Sequence, residues 1–278
     1  YSNYDLLSQS IGFGGSLPTP INHIRYSVLI AASLILCLAF CIEGWKVKYA
    51  WERWAYGAAA IYLFYFLHVL SVRSGIVLGY AGILILSLFY LQKLKTWMQV
   101  GLIASVILAP IIAYKTLPGF QLKVNYTLYD LGQFKAGTGD QYSDSERWAS
   151  WQAGLALGNQ HPFFGLGTGS FVSEMKAYYQ NELKLDKWNR PHNQWINVFA
   201  IFGLVGLVVF CFVLIFPMTF ALFWKPALFP TLYIIQLLSM IVEHPLDTEF
   251  GTMLFLVLTC LGLSTESENR EKRENVVT

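Results

Sequence analysis

Three side chains in this sequence carry most of its chemical promise, and all three are arginines or histidines. Arg73 sits in Ser71-Val72-Arg73-Ser74-Gly75, within a few residues of long apolar stretches. A guanidinium so close to hydrocarbon is costly and usually functional. Two serines and Gly75 surround it instead of an interfacial Trp/Tyr belt, which favours function over an arginine that merely snorkels to headgroups. His192 stands in Arg190-Pro191-His192-Asn193, against the start of an apolar run. Imidazole is the side chain whose ordinary pKa, about 6.5, suits proton transfer at neutral pH. A lone interfacial histidine is more often a polar anchor, but Arg190 and Asn193 beside it make a site. Arg147 follows Ser143-Asp144-Ser145-Glu146, a helix-start pattern that predicts a helix through Trp148, Trp151 and Leu157. On its own Arg147 reads as a partner of Glu146 or Asp144 on a solvated face; only proximity to the others would raise it. His23 with Arg25, and Glu243, His244 and Asp247, are further polar groups at the ends of apolar runs.

The run His161-Pro162-Phe163-Phe164-Gly165-Leu166-Gly167-Thr168-Gly169-Ser170 resembles a phosphate-cradling loop but lacks the Lys-Ser/Thr of a P-loop and a preceding buried strand. A tight turn with positive-φ glycines is the default reading, although amides around Gly167 and Gly169 could hold an anion. No Asp-x-Asp pair, His-Glu-x-x-His or acidic cluster suggests a catalytic divalent metal. Neither a metal nor another cofactor is expected, and arginine would have to meet the charge of a phosphorylated substrate.

The elements that position these groups are membrane helices. Charged residues make up 13% of the chain and aromatics 16%, and the apolar blocks approach the ~20 residues a bilayer-crossing helix needs. Spans are predicted at 26–42, 54–70, 76–91, 97–114, 195–216, 227–241 and 250–263: an all-α polytopic protein of seven transmembrane helices. Between the fourth and fifth lies 115–193, roughly 80 residues and far beyond a usual connection. Its tryptophans, phenylalanines and tyrosines exclude a solvated linker and predict a folded helical cap. The expected division is therefore a membrane part over 1–114, a loop domain over 115–193, a second membrane part over 194–264 and a tail over 265–278. Lys46, Lys48 and Arg53, then Lys93 and Lys95, then Lys225, then Arg270, Lys272 and Arg273 fall on alternate connections, hence on one side, the cytoplasm. The candidate residues all face the opposite compartment. Cys37, Cys41, Cys211 and Cys260 lie in or at the ends of apolar runs and read as small packing residues. A net charge of +2 argues for no nucleic-acid partner.

Taken together, Arg73 in its Ser-Val-Arg-Ser-Gly setting, Arg147-Trp148-x-x-Trp151, the His161–Phe171 loop and His192-Asn193-Gln194-Trp195 running into Phe202-Gly203-Leu204-Val205-Gly206-Leu207 resemble the O-antigen ligase and O-antigen polymerase superfamily of bacterial inner membranes. The order and spacing agree over roughly half the chain; each piece alone is unspecific. Members usually have more spans than seven, so a lost N-terminal portion or a shortened relative is expected. The resemblance implies a metal-independent, inverting glycosyltransferase of the C class. Its donor would be a glycan on undecaprenyl pyrophosphate at the periplasmic face of the inner membrane, and its acceptor lipid A–core or another glycan. The two essential arginines would fall on Arg73 and Arg147 and the essential histidine on His192. Arg190, Asn193, Arg25, Gly167 and Gly169 would bind substrate. Where the family often has Tyr after His-Asn, Gln194-Trp195 stand here, which bears on acceptor contacts more than on catalysis.

A polymerase joining lipid-linked repeats is the alternative within the superfamily. A transporter of such lipids would place charges deep in spans and show repeat symmetry; His68 is the interior exception here. An intramembrane serine protease fails because Ser170 lies in the polar loop. The transferase reading requires both guanidiniums and the imidazole to meet just outside the bilayer.

Overall fold

In a computed structural model, residues 17–43, 49–90, 96–135, 143–220 and 227–260 are described. The glycine-rich approach at 12–15, the basic connections carrying Lys46, Lys48, Lys93, Lys95 and Lys225, and the tail lie outside them. The described residues form helices α1 (His23–Glu43), α2 (Ala50–Leu70), α3 (Arg73–Tyr90), α4 (Thr96–Thr116), α5 (Pro118–Lys135), α6 (Ser143–Gln160), α7 (Gly167–Asn181), α8 (Gln194–Ile215) and α9 (Leu228–Val242). The last, α10, spans Glu249–Cys260. No strand occurs among the described residues. A helix lies over each expected span, the third as far as Tyr90 and the seventh as far as Cys260. Against the seven expected spans, four stretches among the described residues are long and apolar enough to cross a membrane: His23–Ile42, Arg73–Tyr90, Gln99–Thr116 and Gln194–Thr219; Leu228–Val242 and Glu249–Cys260 are shorter apolar helices. Among the described residues between α4 and α8, α5, α6 and α7 make up most of the stretch.

The chain divides into two compact units, one within 1–129 and 225–235, the other within 130–224 and 236–278. In the first, α1, α2 and α3 pack through small residues. A Cβ on Gly75 would strike Ser27, one on Gly79 would meet Leu67 Cδ1 at 2.9 Å, and one on Gly82 would meet Ile35 Cδ1 at 2.7 Å. Contacts thus advance together along α1 and α3, which makes those two helices parallel. Close approach of this kind is how helices gain contact where lipid offers no hydrophobic drive. Arg25 and Arg73 each lie two residues before the Ser27–Gly75 contact, so they share one end of the pair. Ser71, in a left-handed conformation with φ of 54°, ends α2, and α3 begins at Arg73 itself. His68, the ionisable group inside a span, is buried and paired at both nitrogens: Nδ1 with the Phe64 carbonyl at 2.8 Å and Nε2 with the Tyr80 hydroxyl at 2.9 Å. It is a satisfied core histidine.

The second unit is built on α6, α7 and α8, whose shared core holds Ala153, Leu157, Phe171, Met175, Tyr179, Ala200 and Ile201. The glycine loop finds its explanation here. Helix α8 breaks at Gly203, with φ of 66° and ψ of −163°. Past the break, the Leu204 N–H donates to Pro162 O (2.8 Å) and the Val205 N–H to Phe163 O (3.1 Å). Leu166 N–H donates to the Ala200 carbonyl in return (3.0 Å). The loop therefore satisfies backbone groups that the broken helix frees, as a span in lipid requires. Both Gly165 and Gly203 have positive φ, and a Cβ on either would collide with the other segment's backbone.

Candidate active site

His192 is held by its main chain before its ring is considered. Its N–H donates to Ser150 Oγ (3.2 Å), and its carbonyl accepts from Trp151 Nε1 (3.0 Å). Ser150 in turn donates to the Arg147 carbonyl at 2.7 Å. The α6 segment Arg147-Trp148-x-x-Trp151 is thus the brace for the histidine, and Gly154 beyond it lets Pro191 and Ile196 approach. Asn193 then caps α8: its Oδ1 accepts from the Trp195 and Ile196 amides (2.9 and 3.1 Å), and its Nδ2 donates to the Ile241 carbonyl (3.0 Å). Both ends of that amide are committed to the frame.

A second segment, 243–247, locks against the first. Asp247 accepts from Arg190 (3.1 Å), Gln194 Nε2 (3.3 Å) and Asn197 Nδ2 (2.7 Å). Gln194 Oε1 accepts from the Leu246 amide at 3.0 Å, and the Gln194 amide donates to the Glu243 carbonyl at 3.1 Å. Arg190 also lies over the Phe171 ring, 5.5 Å from its centre. Gln194 is therefore a buried clip between two chain segments.

The clip brings Glu243 to His192: Oε1 lies 3.1 Å from Nδ1, with the two side chains 12% and 25% exposed. Burial alone would raise the Glu243 pKa. The hydrogen bond from His192 and the nearby charges of His192, His244 and Arg147 outweigh it, so the carboxyl stays below its ordinary range. An ionised carboxylate can only accept, so Nδ1 carries the proton and Nε2 of a neutral His192 is the basic nitrogen. That is the arrangement of a general base oriented by an acid. The His244 ring lies 5.7 Å from that of His192, and its Nδ1 is buried without a partner. Burial holds its pKa down, partly offset by Glu243 and Asp247, while His192 and Arg190 press it lower. Ligand atoms of His192, Glu243 and His244 lie within 4.8 Å of one another, a spacing that could hold a metal ion. The charges of Arg147 and Arg190 also reach these groups, Arg190 while paired with Asp247.

Arg147, His192, Arg190 and Asn193 thus belong to one unit, whereas Arg73 and Arg25 belong to the other. Gly167 and Gly169 open α7 with free space where a Cβ would be. Ser150, Gln194 and Asn197 have no chemical signature in the sequence, and Glu243 and Asp247 carry only a weak one. The available hint is two amides at i, i+3 in an otherwise apolar span, which need a buried partner.

No curated protein matches the chain. The family model described as O-antigen ligase matches residues 58–211, a range that takes in Arg73, Arg147, the glycine loop and His192. With more than half its length so matched, the chain belongs to the O-antigen ligase family.

Proposed function

We propose that this protein transfers a glycan from undecaprenyl pyrophosphate to an acceptor hydroxyl, such as one on lipid A–core, at the periplasmic face of the inner membrane. The observation that supports the reading is the His192–Glu243 pair, whose histidine is braced by α6 and lies within the residues that the family model matches. His192 Nε2 takes the proton from the acceptor hydroxyl as that oxygen attacks the anomeric carbon. The bond from that carbon to the pyrophosphate oxygen breaks on the opposite side, and its electron pair leaves with undecaprenyl pyrophosphate. Attack from that side inverts the anomeric centre. Arg147 stabilises the charge that grows on the leaving group, an interaction stronger in the transition state than before it. Arg190 fixes the 243–247 segment through Asp247, and Asn193 sets the start of α8. By the resemblance, Arg73 remains the second essential arginine, and Arg25 and the α7 glycines remain substrate-binding residues. The chemistry needs no metal.

The test is glycan transfer by purified protein in detergent, with and without chelator. His192→Ala should lose about 10²- to 10⁴-fold in kcat, and chelator should change nothing. Wild-type transfer by His192→Ala would remove the assignment. Lipopolysaccharide from a deletion strain then separates the two transfers within the family: a lost ligase leaves long chains off the core, a lost polymerase leaves a single repeat on it.

A further inference from the structure

Beside the braced histidine, a cavity of about 230 Å³ is lined by Ser145, Glu146, Tyr179, Asp186, Lys187 and Asn189. It falls just below the ~300–1,000 Å³ of drug-sized sites, so it suits one small ring with its substituents. Ser145 Oγ is buried without a hydrogen-bond partner, and the buried Tyr179 hydroxyl lies against the Asn189 backbone. An unpaired buried hydroxyl costs about 1–3 kcal/mol, which a ligand rich in hydroxyls would recover. Tyr179 is fully buried in the core with Phe171 and Met175, so its polar tip is rigidly presented.

Charge narrows the ligand. Lys187 pairs with Glu146 at 3.0 Å, which leaves Asp186 as surplus negative charge. A uronic acid or phosphorylated sugar would be repelled; an uncharged or amino-bearing ring would not. Position narrows it further. Asn189 is three residues before His192, no more than about 10 Å of extended chain. Ala149, another wall residue, precedes Ser150, which accepts the His192 amide. The cavity and the base are therefore carried on the same two segments.

We infer that this cavity is a monosaccharide subsite for an uncharged or amino-bearing pyranose next to the reacting bond, in the glycan of either the donor or the acceptor. The inference rests on the transfer reading above. It is tested with purified full-length protein, an undecaprenyl-pyrophosphate-linked repeat as donor and core-only lipopolysaccharide as acceptor. Ala149→Leu fills the cavity; Tyr179→Phe and Ser145→Ala remove its hydroxyls. The KM for one glycan should rise about tenfold in Ala149→Leu, equivalent to about 1.4 kcal/mol, and several-fold in the hydroxyl variants, with kcat within about twofold. A rise for the donor assigns the subsite to the donor, and a rise for the acceptor assigns it to the acceptor. Unchanged KM values for both substrates in folded variants would overturn the subsite, as would a loss confined to kcat. Should Ala149→Leu fail to fold, the two hydroxyl variants decide. If His192→Ala abolishes transfer while all cavity variants behave as wild type, only the subsite falls. If His192→Ala transfers normally, the reading beneath it falls instead.

Discussion

The two units are held by different physics. In the first, Gly75, Gly79 and Gly82 bring α3 against its neighbours and apolar side chains fill the seam. In the second, the polar cluster around Asp247 and Glu243 joins segments about fifty residues apart through charge-assisted hydrogen bonds. Apolar seams tolerate any filling of the right volume. A polar clip depends on how its members are paired, and here most are, with Asn197 Oδ1 and His244 Nδ1 left buried without a partner. The contrast suggests where rigidity has been concentrated: around the imidazole, where a small misplacement would cost rate.

Substitutions can break that contrast in order of expected size. Glu243→Gln should reduce kcat by about 10²-fold or more with little change in KM, because an amide no longer fixes the His192 tautomer; turnover at the wild-type rate would show that the pair is only structural. Gly75→Leu should destabilise by about 1–3 kcal/mol through overpacking against Ser27, read as a lower Tm in detergent. Asp247→Asn should cost somewhat less, about 1–2 kcal/mol, since Arg190 is partly exposed and keeps water as a partner. A Tm loss for Asp247→Asn well above that for Gly75→Leu would reverse the comparison.

The smallest effect is a pH slope. Both Glu243 and His244 have lowered pKa values in the folded protein, so the unfolded chain takes up protons first as the solution is acidified. Stability then falls with pH, through His244 below about 6.5 and through Glu243 below its ordinary range of about 4.3. Tm should drop between pH 7.5 and 5.5, and His244→Gln should flatten that drop. An unchanged slope in the variant would assign it elsewhere.

Much of the fold is legible in the sequence because lipid leaves little choice. Apolar runs must be helices, and aromatic content excludes a loose linker. The helix that carries Arg147 is legible from the Ser143–Glu146 pattern ahead of it. Arg147 and His192 are legible as chemistry, but Arg147 only as one guanidinium among several until Ser150 and Trp151 tie its helix to His192. The Asp247 clip is not legible, because amide-to-carboxylate pairing leaves no periodicity and its partners are widely separated in the chain. The glycine loop is legible as a positive-φ turn, but its pairing with the break in α8 is not, for a related reason. Positive φ is needed both by anion cradles and by a backbone splice, and the splice is what Gly165 and Gly203 provide.

That splice has a mechanical consequence. With Gly203 interrupting the ladder, the upper turns of α8 are tied to α6 and 243–247, while below the break Val208, Val209 and Phe212 are exposed on an apolar run. A bilayer that thickens or thins asks a spanning rod to tilt. Here the joint is clamped on both sides, Ala200 through Leu166 and Leu204 and Val205 through Pro162 and Phe163, so a tilt of the lower rod loads the loop between α6 and α7.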